Sequence, residues 1–111
     1  MPPRDLKLLD AAERAARLIN ELIDRSPRGR LLHVSQMRDS VQAIGANFSD
    51  GFGRGERQDR DRSPEIGRGE TEETIRHLSA NFHSKRITPK EYWPRHNLLV
   101  VIVKMVTSFL R

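Results

Sequence analysis

Apolar residues recur every three or four positions in four stretches of the chain, the period of an amphipathic helix. In the first stretch Leu8, Ala12, Ala15, Ile19 and Leu22 draw one stripe, which Leu9, Ala16, Leu18 and Ile23 widen. The other side sets Asp10 before Arg14, Glu13 before Arg17 and Glu21 before Arg25, acid first, the favourable order for pairs one turn apart. The spacing predicts a helix over 5–24, stopped by Ser26-Pro27-Arg28-Gly29. Val34, Met37, Val41, Ile44 and Phe48 predict a second over 31–50. Gly45 inside it costs about 1 kcal/mol relative to alanine, which a close helix crossing would explain. Gly51 and Gly53 suit its C-terminal side, where a left-handed residue closes the last carbonyls.

The third stretch is weaker. From Glu56 to Glu73 the one large apolar residue is Ile66, and Pro64, Gly67 and Gly69 lower helix propensity. Ser63-Pro64-Glu65 reads as a helix start, with Ser63 as cap and Pro64 in the first turn. Thr71, Ile75, Leu78 and Phe82 then give a stripe, so a helix is predicted over 64–82, with the residues before it either helical and kinked or loose. The fourth start is clearer: Thr88 as cap, Pro89 in the first position and Glu91 three residues on form a capping box. Ile87 and Tyr92 suit the accompanying hydrophobic staple. Pro94 predicts a kink. From Leu98 to Leu110 the pattern is apolar nearly all round, and helix over 89–110 is preferred to a strand at Val100–Val103, which would have no partner strand.

Four helices of similar length, each about 25–30 Å, with short connections predict an all-α, up-down-up-down four-helix bundle in a single domain, residues 1–111. One helix of a small bundle buries one stripe. The last helix has two apolar sides, so its outer side is expected to meet another copy, with Trp93, Leu98, Val101 and Met105 as interface candidates.

Composition narrows the class further. The chain has no cysteine, which rules out disulfides and thiolate metal sites and fits a reducing cytosol. Its start shows no signal-peptide pattern. The longest apolar run, Leu98–Val103, is cut by Lys104, far short of the about 20 residues of a membrane span. A cytoplasmic protein with no membrane role is expected. Twenty bases, sixteen of them arginine, oppose fifteen acids, giving +5 and a pI near 10.4. Arginine forks onto phosphate, and a pI above about 9 favours a polyanion partner.

The segment from Gln36 to Arg54 carries a resemblance. Gln36, Arg38, Ile44, Asn47, Gly51, Gly53 and Arg54 match, and Met37, Phe48 and Asp50 match in kind, a pattern that runs Gln-Leu-Arg-Arg-Ala-Ala-x-Ser-Ile-Pro-x-Asn-Ile-x-Glu-Gly-x-Gly-Arg. Ile66, Arg68, Gly69 and Glu73 match a second block, Ile-Ala-Arg-Gly-Ser-x-x-Glu. The chain thus resembles the four-helix-bundle family encoded in intervening sequences of bacterial large-subunit ribosomal RNA genes. Asp39 stands for the usual arginine, Gly45 for the proline, Gly67 for the alanine and Glu70 for the serine. Pro64 replaces an apolar helical position. Members are similar in fold to accessory proteins of diversity-generating retroelements, pentameric barrels that engage nucleic acid and a reverse transcriptase. The resemblance implies a cyclic homo-oligomer, most simply a pentamer, with RNA or DNA and a nucleic-acid enzyme such as a reverse transcriptase as partners. It implies no catalysis and no cofactor, and it assigns Gln36, Arg38, Asn47, Asp50, Gly51, Gly53, Arg54 and Glu73 to the family pattern.

Three basic clusters are candidates for phosphate contact. Arg54, Arg57, Arg60 and Arg62, with Arg68 beyond, alternate with Glu56, Asp59 and Asp61, and a self-neutralising exposed face is the preferred reading of this segment taken alone. Arg25, Arg28 and Arg30 have no acid between them. Lys85, Arg86 and Lys90 occupy the turn between the third and fourth helices. In an up-down bundle the last two clusters share one end.

Other motifs are weaker. Gly51-x-Gly53-x-Gly55 follows a helix and lacks the lysine-serine pair of a phosphate loop, so it reads as a helix stop. Asn47, beside the apolar stripe, suits a buried group that fixes register. Glu73 and His77 lie one turn apart, the spacing of an oriented general base, but no nucleophile accompanies them. His33, His83 and His96 are scattered, which argues against zinc. Tyr92 and Trp93 suit base stacking or, more commonly, helix anchoring. The leading expectation is a non-catalytic, ring-forming bundle that binds nucleic acid. The alternative is a protein-interaction scaffold with solvating charges.

Overall fold

Four α-helices follow one another: α1 (Pro3–Arg25), α2 (Val34–Gly53), α3 (Arg57–His83) and α4 (Pro89–Phe109). The computed structural model describes residues 1–53 and 57–111, apart from the side chains at 57–61. Each helix packs its backbone on its neighbours in the chain and α1 closes the ring onto α4, while Phe52 of α2 reaches diagonally to Phe109 of α4, ring centroids 5.3 Å apart. The bundle is 44 Å long and about 20 Å across. Among the described residues there is no strand, and Val100–Val103 are helical.

The core is the predicted one on three helices. Leu8, Ala12, Ala15, Ile19 and Leu22 of α1 face Met37, Val41, Ile44 and Phe48 of α2 and Leu99, Ile102 and Val106 of α4, all buried. The buried side of α3 is different in kind. It presents Gly67, Thr71, Thr74, Leu78 and Asn81. Thr71 and Thr74 donate to the carbonyls of Gly67 and Glu70, both at 2.8 Å, and the Thr74 and Ser40 hydroxyls pair at 2.7 Å. Buried hydroxyls satisfied by their own helix replace large apolar groups, which is why the third pattern reads so weakly.

Helix ends differ from expectation where side chains take over. α2 begins at Val34 rather than 31, because His33 adopts φ 58° and its carbonyl receives the Met37 N–H at 2.9 Å. α3 begins at Arg57 and carries Pro64 inside it. Ser63 does not cap it; its hydroxyl donates to Asp50 Oδ2 at 2.9 Å and links α3 to α2. α2 runs through Gly51 to Gly53. Gly45 is not required by a close crossing, since a Cβ there would sit 3.8 Å from Ala12 Cβ, an ordinary contact. Asn47 is half-buried, and its amide donates to the Ala43 carbonyl of its own helix at 2.8 Å.

The turns at one end are closely specified. Gly29, at φ 86°, occupies the third position of a β-turn closed by Arg30 N–H to the Pro27 carbonyl at 3.0 Å. At the end of α3, Lys85 takes φ 61°, with Lys85 N–H on the Phe82 carbonyl and Arg86 N–H on the Asn81 carbonyl, a Schellman stop without glycine. The Thr88–Glu91 capping box then opens α4, with both reciprocal bonds present.

Candidate nucleic-acid interface

The connections α1–α2 and α3–α4 lie at the same end, and two of the basic clusters meet there. Arg30 Nε donates to the Arg86 carbonyl at 2.7 Å, and Arg86 Nη1 donates back to the Arg30 carbonyl at 3.0 Å. The Arg30 guanidinium also grips Glu91 with both forks, at 2.6 and 3.2 Å. That bond, ahead of the cap bond from the Thr88 N–H and the nearby positive charge, holds the Glu91 carboxyl below its usual range against the opposing effect of burial. Arg30 and Arg86 are therefore bolts between the two turns. Arg25, Arg28, Lys85 and Lys90 are exposed around them and free to meet phosphate.

The remaining predicted cations divide. Arg62 is exposed. Arg68 is half-buried, its Nη1 donating to Thr107 Oγ1 across α3 and α4 at 3.3 Å. Arg54, and the side chains of Arg57 and Arg60, lie outside the described residues. A further basic surface was not singled out from the sequence. Between α3 and α4 a groove is lined by Ile75, Val100 and Val103 and bordered by Arg76, Lys104 and Glu72. Arg111 lies in the next depression along, again beside Lys104. Arg76 and Lys104 belong to different helices and are 28 positions apart, so no local run of charge reveals them.

Two of the family-pattern residues, Arg38 and Asp50, tether one helix to another. Arg38 donates to Asn20 Oδ1 at 2.8 Å and Asp24 Oδ1 at 2.6 Å, holding α2 on α1. Asp50 receives Ser63, and Gly51 is buried, whereas Gln36 is exposed. Glu73 stands 3.5 Å from His77 Nε2, and His77 Nδ1 meets His33 Nδ1, in the loop before α2, at 2.9 Å. Among the described residues no group of three or more acids or histidines is arranged to hold a metal ion.

Three structural polar groups escape the sequence patterns. Asn81 is fully buried, accepts the Leu32 N–H at 2.8 Å and donates to the Leu32 and His77 carbonyls at 3.1 and 2.9 Å. Arg95 is buried between α4 and α1, donating to the carbonyls of Leu18 and Glu91 at 2.8 and 2.9 Å. Burial lowers its pKa, against the pull of Glu21 and Glu91. Glu70 is shifted upward, by burial first and by Glu73 second.

The outer side of α4 is partly open, as its two-sided pattern requires. Val101 and Trp93 are each 47% exposed, and Leu98 and Met105 are half-buried. Val101 and Met105 belong to a groove of about 450 Å³ between α1 and α4, floored by Leu8 and Phe109 and rimmed by Arg4, Lys7 and Lys104. The neighbouring groove, between α1 and α2, has a small-residue floor of Ala12, Ala16, Gly45 and Ala46, with Asp10 and Glu13 on its rim. None of the described helices is long and apolar enough to cross a membrane.

No curated protein matches the chain. Among solved structures, a protein of unknown function from the S23 ribosomal protein family of Bacteroides thetaiotaomicron superposes with a TM-score of 0.89. The match covers 96% of this chain and 97% of that one at 23% identity, and so speaks for the fold. The profile of the 23S rRNA-intervening sequence protein family matches residues 4–108, nearly the whole chain with both motif blocks, and this chain belongs to that family.

Proposed function

We propose that this bundle is a non-catalytic, oligomeric nucleic-acid-binding protein. The observation that carries the reading is the end at which Arg30 and Arg86 lock two turns together, leaving Arg25, Arg28, Lys85 and Lys90 exposed around the lock. The acid nearest the lock, Glu91, is already neutralised by Arg30. Fixed backbone with mobile cations around it is the arrangement a phosphate backbone needs, and it carries no base preference of its own. Arg76, Lys104 and Arg111 extend the positive surface along α3 and α4.

The assembly is proposed as a closed ring, five copies being the number the resemblance implies. The support is complementarity between two faces of one subunit. The ridge of α4 with Val101 and Lys104 is apolar and basic, and the α1–α2 groove is smooth and acidic. These faces lie on different sides of the bundle, so ridge-to-groove contact is head-to-tail and turns from copy to copy.

Filter binding of single-stranded and duplex RNA and DNA at low salt tests the nucleic-acid reading. Saturable retention that fades as salt rises supports it, and no retention at low salt ends it. The second reading, a protein scaffold, has the apolar groove of α1 and α4 in its favour. Recovery of a stoichiometric protein partner from nuclease-treated extract, with no binding to nucleic acid, would replace the first reading with the second.

A further inference from the structure

Trp93 lies where the basic end and the α3–α4 surface meet. The residue is 47% exposed, although its ring belongs to an aromatic cluster. Tyr92, Phe82 and His96 surround it with ring centroids at 4.9, 5.8 and 5.2 Å, and all three are close to perpendicular to it, at 69°, 70° and 80°. Among the described residues no ring lies flat on the indole. Phe82 and Tyr92 are themselves stacked at 4.0 Å, and the Tyr92 hydroxyl pairs with Ser79 at 2.9 Å. The cluster is therefore a rigid mount, already satisfied within the subunit, that holds a half-exposed tryptophan at the surface.

Cations bracket that surface. Lys90 is one turn before Trp93 on α4, and Lys85 follows the end of α3 that supplies Phe82. In the other direction Arg76 and Lys104 border the α3–α4 groove beyond His96. An exposed aromatic between fixed positive charges matches a polyanion whose apolar faces are open at intervals, which describes single-stranded nucleic acid. Duplex hides those faces in its stack. We infer that Trp93 is a stacking platform for an unpaired base, with Lys85 and Lys90 taking the phosphates on one side of that base and Arg76 those on the other. The inference rests on the nucleic-acid reading and names the form of ligand that this surface takes. Val101 and Met105 lie about 12–18 Å further along α4, so a subunit contact there leaves Trp93 open.

Trp93 is the sole tryptophan, so its emission reports the site directly. The full-length protein would be titrated at low salt with a ten-residue oligouridylate, the matching oligothymidylate and a blunt duplex of equal length, reading emission and filter retention together. The expected result is saturable quenching by either single strand, over the same concentration range as retention, and little quenching by the duplex. Trp93→Leu should weaken single-strand retention about tenfold and leave duplex retention unchanged, and Trp93→Phe should restore most of the loss. Thermal unfolding and mass in solution, unchanged in both variants, would show that fold and assembly are intact. Salt-sensitive retention without quenching, or equal losses for single strand and duplex in Trp93→Leu, overturns the platform and leaves the nucleic-acid reading standing. No retention of any of the three probes overturns both.

Discussion

Phe48 of α2 occupies the space that a side chain on Gly67 of α3 would need. A Cβ at Gly67 would lie 2.5 Å from Cε1 and 2.8 Å from Cδ1 of the fully buried ring. The family pattern has isoleucine and alanine at these two positions. Here the larger ring and the missing methyl occur together, so two departures from the pattern are one compensated contact. Gly67→Ala should destabilise by about 1–3 kcal/mol despite its better helix propensity, because the rigid ring cannot yield. Phe48→Ile combined with Gly67→Ala should be clearly more stable than the sum of the single changes predicts. Gly45→Ala, with its 3.8 Å neighbour, is the tolerated control. Urea unfolding of the parent and of the four variants (Gly67→Ala, Phe48→Ile, the double change and Gly45→Ala) checks this, and a Gly67→Ala protein as stable as the parent would refute the packing account.

Asn81 holds the loop before α2 onto the end of α3 by bonding both backbone groups of Leu32. Asn81→Leu keeps the branched shape but leaves the Leu32 N–H and carbonyl without their side-chain partner in a half-buried place. A loss of about 2–4 kcal/mol is expected in chemical unfolding. A loss below about 0.5 kcal/mol would mean that water or the backbone replaces the amide with ease.

Acid should weaken the fold through Glu91. Its carboxyl is held below the usual range chiefly by Arg30, so the ionised form favours the native state. That contribution is complete above the unfolded value of about 4.3 and is lost as pH falls through the lower folded value. Glu70, shifted upward, acts in the opposite sense: it costs stability when ionised and relieves that cost on protonation. Thermal midpoints of the parent and of Glu91→Gln between pH 3 and 7 should differ most at neutral pH and converge in acid. A constant difference across the range would contradict the Glu91–Arg30 coupling.

If the α4 ridge meets a neighbouring copy, Val101→Glu places an acid against the acidic rim of Asp10 and Glu13. Light scattering at micromolar concentration should show the parent as a multiple of 12.8 kDa and the variant as smaller particles. A parent that already runs at 12.8 kDa rules out the ring.

Fold class and three of the four core stripes were legible because α1, α2 and α4 bury apolar side chains at helical spacing. α3 was half legible: its inward Thr71, Thr74 and Asn81 are polar by type and buried by virtue of hydrogen bonds that sequence does not display. The sequence leaves the residues before Pro64 open between kinked helix and loop for a related reason, since the Ser63 hydroxyl serves Asp50 instead of capping a helix. At the candidate interface, the meeting of the two turn clusters followed from topology. Which of their cations remain available did not, since Arg30 and Arg86 look the same in sequence as Arg25 and Arg28 but end in backbone carbonyls and Glu91. The Arg76–Lys104 pair needed two helices placed side by side before it existed as a surface.

The central claim is that the turn end holds nucleic acid by its phosphates. The most direct measurement is the slope of log affinity against log salt for the parent and for Arg28→Ala, Lys85→Ala and Lys90→Ala combined. These residues are exposed and take no part in the lock, so the variant should fold. For duplex DNA each lost phosphate contact lowers the slope by about 0.9, so the triple variant should bind more weakly with a slope shallower by about 2–3. Equal slopes and affinities for the two proteins would place any binding elsewhere and contradict the account.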